Sequence, residues 1–198
     1  MPVPGGPAGH TGAVTPAGHG HQLWLLRHAK TVADPPPGGS DHDRVLAPRG
    51  RRDADQLGRR LGDDPPALGL VGGLRPELVL CSTARRTVQT AERVLAPLTD
   101  PPPLELVDAL YGASPAEVLD QVRLVDETVR SVMVVGHNPT ARDLAGDLLA
   151  GDDRDGLRQI ERRGFPTCAL AVYQLPAARW TDVAMGSATL LGLFTPPF

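Results

Sequence analysis

The chain has 198 residues, a length that suits one domain with a sizeable core. Apolar residues make up 41% and aromatics only 4%, so that core must be built from Leu, Val and Ala. The net charge of -3 gives no sign of nucleic-acid binding, no apolar run approaches the ~20 residues of a membrane helix, and two cysteines make neither a disulfide framework nor a zinc site.

Residues 1–20 are Gly, Pro, Ala, Thr and His with almost no apolar mass, and are expected to be a disordered tail preceding a single domain over 21–198. The tail lacks the charged and apolar regions of a secretory signal, which makes the cytoplasm the expected compartment. His10, His19 and His21 lie in or beside it, and without further ligands they are a poor metal site. QLWLLR, from Gln22, is a short continuous apolar run that reads as a strand buried on both faces. Pro35–Gly39 is a loop. From Pro48, RGRRDADQLGRRL reads as an amphipathic helix with Ala54, Leu57 and Leu61 on one face. Asp63–Pro76 is a Gly/Pro-rich connector. Glu77–Cys81 is a second buried strand, and STARRTVQTAERVLA follows as a helix with Ser82 as its N-cap and Val88, Ala91 and Leu95 inward.

A third strand falls near Leu104–Val107. Ser114–Val125 is a helix with Ser114 as N-cap, Pro115 in the first turn and Glu117 three residues after the cap. Ser131–Gly136 is a further apolar strand, and Asn138–Ala150 a helix opened by Asn then Pro. DDRDG, with Asp152, Asp153 and Asp155, lacks the spacing of a calcium loop and reads as a solvated turn. The remainder holds two or three strands, in CALAVYQL, ARWTDVAM and ATLLGLF. Strands alternating with helices imply a three-layer α/β/α fold with a largely parallel central sheet.

Three strands end in polar residues where a helix or loop begins. The first gives Arg27-His28, the second Ser82 followed by Arg85 and Arg86, and the fourth Gly136-His137-Asn138, which holds the chain's single Asn. Ligand sites in open parallel sheets lie outside the carboxyl ends of strands. If these strands are neighbours, two His and two or three Arg converge there beside helix N-termini, a setting that suits phosphate. Successive helical residues diverge by about 100°, so Arg85 and Arg86 cannot both point into one pocket.

LLRHAKT, CSTARRTVQTAE and VVGHNPT, in this order, resemble the three signatures of the histidine phosphatase superfamily, the phosphoglycerate mutase-like fold. DHDRVLAPRGRRDA (Asp41–Ala54), ALYGASPAEVL (Ala109–Leu119) and FPTCALAVY (Phe165–Tyr173) resemble its SixA-like branch, the phosphohistidine phosphatases. The resemblance covers Gln22 to Tyr173. Thr87 stands where Ala is usual, Val45 stands before Leu46 in place of Pro, the Asp63–Leu74 connector is long, and the segment after Met185 has no match.

The resemblance implies His28 as the nucleophile of a covalent phosphohistidine intermediate, with its other ring nitrogen on a backbone carbonyl. It implies Arg27, Arg86 and His137 as donors to the phosphoryl oxygens, with Arg44 a fourth candidate from the loop. Superfamily spacing selects Arg86 over Arg85. Lys30 and Thr31 lie close by as loop residues or contributors. A general acid for an alcohol leaving group would be Asp108 or, less well placed, Glu105, although a solvated turn carboxylate is the simpler reading of Asp108. No metal or other cofactor is expected. Neither long interval between the motifs leaves room for a cap domain, so the pocket would admit a phosphorylated protein or a small phosphate ester. The leading expectation is hydrolysis of phosphohistidine on a protein. The alternatives are a small-molecule phosphomonoesterase or mutase with the same chemistry, and a phosphate-binding module without chemistry. CSTARR does not fit the phosphate cradle of a cysteine phosphatase, which sets Cys81 aside.

Overall fold

A computed structural model describes residues 20–63 and 75–198, the side chain of Asp63 excepted. The expectation of a disordered tail, with His10 and His19, falls on residues outside this set, as does most of the 63–76 connector. Six strands, β1 (His21–Arg27), β2 (Leu78–Ser82), β3 (Leu104–Val107), β4 (Ser131–Gly136), β5 (Leu170–Leu175) and β6 (Thr189–Phe194), form one sheet in the order β3-β2-β4-β1-β5-β6. The β3-β2-β4-β1 portion is parallel, while β5 runs antiparallel to both β1 and β6.

The helices are α1 (Pro48–Asp63), α2 (Arg85–Leu95), α3 (Pro115–Arg123), α4 (Thr140–Asp147) and α5 (Arg154–Arg163). Right-handed crossovers dictate their sides. The chain steps in one direction from β1 to β2 to β3, which sets α1 and α2 on one face; the return from β3 to β4 sets α3 on the other. Alternate residues of the central strands feed the two layers. Trp24, Leu26, Met133 and Val135 pack with α1 and α2, whereas Leu23, Leu25, Val132 and Val134 pack with α3, α4 and α5. Ala54, Leu57 and Leu61 are buried on α1 as its pattern predicts. Gly58 lets α1 approach α2, since a Cβ there would lie 2.8 Å from the Val94 carbonyl oxygen. Among the described residues no helix is long and apolar enough to cross a membrane.

Two expected caps are corrected. Ser82 is the last residue of β2 and does not cap α2, which starts at Arg85 after Ala84. The Thr87 hydroxyl lies 2.6 Å from the Ala84 carbonyl and 2.8 Å from that of Ser82, so this departure from the family pattern ties the first turn of α2 to the strand end. Asn138 does not cap α4 either, because its amide donates to the Phe165 carbonyl at 3.1 Å. By contrast Ser114 and Glu117 form the predicted capping box of α3.

The carboxy-terminal region differs most from expectation. DDRDG is not a solvated turn throughout: Asp153 caps the unforeseen helix α5 through Gly156 N–H at 2.8 Å and receives Leu190 N–H at 2.8 Å from β6. ARWTDVAM is no strand. It contains a 3-10 turn, Trp180–Asp182, with Trp180 buried and its indole N–H on the Val129 carbonyl at 2.7 Å. His21 belongs to β1, fully buried with its ring 4.3 Å from that of Trp180.

Candidate active site

The sheet register assembles the site. Arg27 pairs with Gly136 and Cys81 with Val135, so the residues that follow, His28, His137 and Ser82, leave three adjacent carboxyl ends at one level. The His28 backbone is clamped there: its N–H donates to Gly136 at 3.0 Å and its carbonyl accepts from Cys168 at 3.1 Å. The next amide, of Ala29, donates to Thr90 Oγ1 at 3.0 Å, and the Thr90 hydroxyl donates to the Arg86 carbonyl at 2.7 Å. Helix α2 thereby fixes the loop after His28 and the backbone of Arg86 together.

The Nδ1 of His28 donates to the Ala29 carbonyl at 2.8 Å, which leaves the lone pair on Nε2. Its ring centroid lies 5.3 Å from that of His137. Burial, together with the positive charge of Arg86, Arg27 and Arg44, lowers the His28 pKa to about 4, against the opposing Ala29 bond. Burial and then Arg86 lower that of His137 to about 3. Both imidazoles are thus neutral at neutral pH. Arginine can only donate, so His137 Nδ1 accepts from Arg86 Nε at 3.2 Å, and its protonated Nε2 donates to Ser82 Oγ at 2.9 Å. Ser82 acts on His137 where a helix cap was expected.

Arg86 is buried and Arg85 exposed. The Arg86 guanidinium also donates to the Asp41 carbonyl at 2.7 Å and to Asp41 Oδ2 at 3.0 Å. Arg27 donates to the Phe165 carbonyl at 2.8 Å, while its Nε is buried without a partner among the described residues. Arg44 lies close enough to His28 to depress its pKa, yet it bonds Thr31 Oγ1 at 2.8 Å, the Val32 carbonyl at 2.7 Å and Asp41 Oδ1 at 2.9 Å. Its present bonds brace the loop. Lys30 is exposed. Asp108 is exposed at the start of a 3-10 turn, and among the described residues its carboxylate has no hydrogen bond or ion pair to the cluster. Glu105 is exposed on edge strand β3.

Two residues of the site went unassigned in the sequence. The Asp41 carboxylate enters the cationic cluster, where the Arg44 hydrogen bond, then Arg86 and the Tyr111 hydroxyl at 3.2 Å, hold its pKa below the usual carboxylate range. The Tyr111 ring stands edge-on to His137 at 5.6 Å and to His42 at 4.8 Å. Both lie within the branch-like segments, so position was a signal, but an acid among arginines runs against the logic of an anion site. Cys81 is buried with its thiol pushed up to about 12, mainly by desolvation, which keeps it protonated and unreactive. Among the described residues no group of three His, Cys, Asp or Glu could hold a metal ion.

The family model for the histidine phosphatase superfamily, branch 1, matches residues 23–114. A candidate phosphohistidine phosphatase SixA from Nakamurella multipartitia superimposes with a TM-score of 0.69 at 30% identity, covering 90% of this chain and 97% of that one. The chain belongs to the histidine phosphatase superfamily. Within it the likeness is to SixA: the structure of the protein histidine phosphatase SixA complexed with tungstate matches with a TM-score of 0.64 at 25% identity, over 88% of this chain and 97% of that one. An uncharacterised protein of Mycobacterium tuberculosis is 39% identical over 173 residues, 86% of this chain and 99% of its own length.

The Arg49-Gly50 step of this superfamily member has a steric reason. A Cβ on Gly50 would lie 2.0 Å from the Lys30 carbonyl oxygen and 2.8 Å from its amide nitrogen. Gly50→Ala must push α1 off the loop that carries His28. It is expected to cost about 1–3 kcal/mol of stability, the usual range for overpacking, and to lower kcat together with the denaturation midpoint. A midpoint and kcat equal to wild type would show that the loop yields freely.

Proposed function

We propose that the protein is a phosphatase that takes a phosphoryl group onto His28 Nε2 and passes it to water, and that its substrate is phosphohistidine on another protein. The observation that carries this reading is the His28 ring: Nδ1 is tied to the Ala29 carbonyl at 2.8 Å, and Nε2 keeps its lone pair beside arginines. The Nε2 lone pair forms a bond to phosphorus as the bond to the leaving nitrogen breaks, and that nitrogen takes a proton from solvent. Water then attacks the phosphohistidine, loses a proton, and frees the His28 lone pair with release of phosphate. Arg27 and Arg86 supply positive charge at the equatorial oxygens, the work a metal does in other phosphoryl-transfer enzymes. An arriving phosphoryl dianion favours the protonated form of His137 once Arg86 Nε turns from Nδ1 to the phosphoryl oxygens, which leaves the Nδ1 proton free to donate.

The leaving group decides between the substrate readings. An ester or mutase reaction asks for an acid at the departing oxygen. Asp108 is exposed and among the described residues makes no hydrogen bond or ion pair to the cluster, and Asp41 is held as a carboxylate by Arg44 and Arg86. An imidazole leaving group protonates readily and needs neither. Support also comes from the SixA structures, one of which binds the oxyanion tungstate. The test is phosphate release from a phosphohistidine-bearing protein and from an aryl phosphate, with EDTA present. Preference for the phosphoprotein is expected. Preference for the ester would overturn the substrate assignment, and loss of activity in EDTA would overturn metal independence.

The histidine pKa values set a pH dependence of stability. In the unfolded chain both histidines titrate near ~6.5. In the folded protein His28 titrates at about 4 and His137 at about 3, so between these limits the unfolded chain binds more protons. Stability is therefore full above ~6.5 and declines as pH falls toward ~3, by about 1.4 kcal/mol for each pH unit by which a group's titration is lowered. The melting temperature should fall over this window, and ring NMR should show His28 titrating near its lowered value. A His28 ring that titrates near its unfolded value would refute the buried, neutral nucleophile.

A further inference from the structure

A cavity of about 380 Å³ opens directly beside the phosphoryl site, with Gly136, His137 and Asn138 forming its near wall. It runs between the N-terminal ends of α3 and α4 down to the sheet. Leu25 and Val134 form the floor; Val118 and Leu144 line the sides. Thr140 on α4 donates to the Ala113 carbonyl ahead of α3 at 2.5 Å, so the two walls are tied together in advance of any ligand.

The charge of its lining differs from that of the site next door. The chain has 20 basic residues, and three arginines surround His28, yet none lines this cavity. Its ionised groups are two exposed carboxylates, Glu117 and Asp143. The Ser114 amide at 2.7 Å and hydroxyl at 2.8 Å keep Glu117 charged. Pocket and cavity together form a two-part surface, cationic around the phosphoryl group and apolar with an anionic rim one residue away. A simple phosphate ester leaves the second part unused. A bulky anionic leaving group is repelled by it.

We propose that this cavity is a specificity subsite for the segment of the substrate protein that flanks the phosphohistidine, taking one apolar side chain into the cavity and a neighbouring lysine or arginine against Glu117 and Asp143. The assignment rests on the phosphohistidine reading above and sharpens it to a sequence preference. An apolar side chain of Leu, Met or Phe size fits the volume, and a basic residue beside it answers the rim, where exposed ion pairs serve selection more than affinity.

The test uses short phosphohistidine peptides that differ only in the flanking pair, Leu-Lys against Ala-Glu, placed on either side of the phosphohistidine. Wild type is expected to show a kcat/KM ratio of about tenfold or more for Leu-Lys in one of the two placements, an energy of ~1.4 kcal/mol, carried mainly by KM. Ala141→Leu, which fills the cavity from the α4 side, should bring the ratio toward one. Glu117→Gln keeps the capping box and should remove only the charge-dependent part. Phenethylammonium, which has both features and no phosphate, should shift the NMR signals of Ala113 in wild type and not in Ala141→Leu. Peptide turnover with a ratio near one in both placements overturns the subsite while leaving the phosphatase reading intact. Phenethylammonium binding without turnover of any phosphohistidine peptide shows a cavity that takes an apolar cation but overturns its assignment to a phosphohistidine segment. Absence of both the preference and the binding overturns the proposal outright.

Discussion

Replacing His28 with alanine is expected to lower phosphate release by ~10⁴-fold or more, the order seen when a covalent nucleophile is removed. The fold should survive the change. The backbone bonds that seat this residue, to Gly136 and from Cys168, do not involve its side chain, and the imidazole is held neutral at a cost that the variant escapes. The bond lost is that to the Ala29 carbonyl, worth about 1 kcal/mol. Far-UV circular dichroism and the denaturation midpoint should therefore stay close to wild type while turnover disappears. A second readout separates nucleophile from bystander. Intact-mass spectrometry of wild type, quenched at alkaline pH during turnover, should show one phosphoryl group added to the enzyme chain, an adduct absent from His28→Ala. Turnover that survives in the variant would sink the mechanism, whatever the substrate.

What could be read from the sequence followed from burial. Strands sunk on both faces, such as β1 and β4, show as unbroken apolar runs, and polar residues at their ends stand out against them. Parallel register then brought His28 and His137 level, a consequence of pairing Arg27 with Gly136. Elements held by polar contacts were harder to see. Helix α5 buries little beyond Gly156 and Ile160 and is anchored by the Asp153 cap, so DRDGLRQIERR carries no wide apolar stripe. Ser82 and Asn138 have the composition of helix caps, but tertiary partners, His137 and the Phe165 carbonyl, claim their side chains. Asp41 was illegible for a different reason: its role depends on three donors, Arg44, Arg86 and Tyr111, the last of them 70 positions away in the chain.

That carboxylate bears on the second large effect. Arg86 has five N–H groups. One orients His137, and two are taken by the carbonyl and carboxylate of Asp41. An incoming phosphoryl group must use the remainder or displace Asp41. Displacement is cheap, because the Asp41 side chain is 54% exposed against 8% for Arg86, and half-exposed ion pairs are worth about 0–1 kcal/mol. If Arg86 binds the phosphoryl group as proposed, Asp41 is a stand-in anion that keeps the buried guanidinium paired until substrate arrives. Two opposite outcomes follow. Arg86→Ala should weaken tungstate binding, read by calorimetry, and lower kcat/KM by about 10²–10³-fold, the loss typical of a donor to transition-state charge. Asp41→Asn removes the competing charge and should tighten tungstate binding, by no more than about fivefold since the pair it breaks is weak. If Asp41→Asn instead weakens tungstate binding as strongly as Arg86→Ala, the carboxylate is a scaffold that aims Arg86 at the anion and not a competitor for it. If Arg86→Ala leaves tungstate affinity unchanged while kcat falls, the arginine acts through His137 alone, and Arg27 carries the anion.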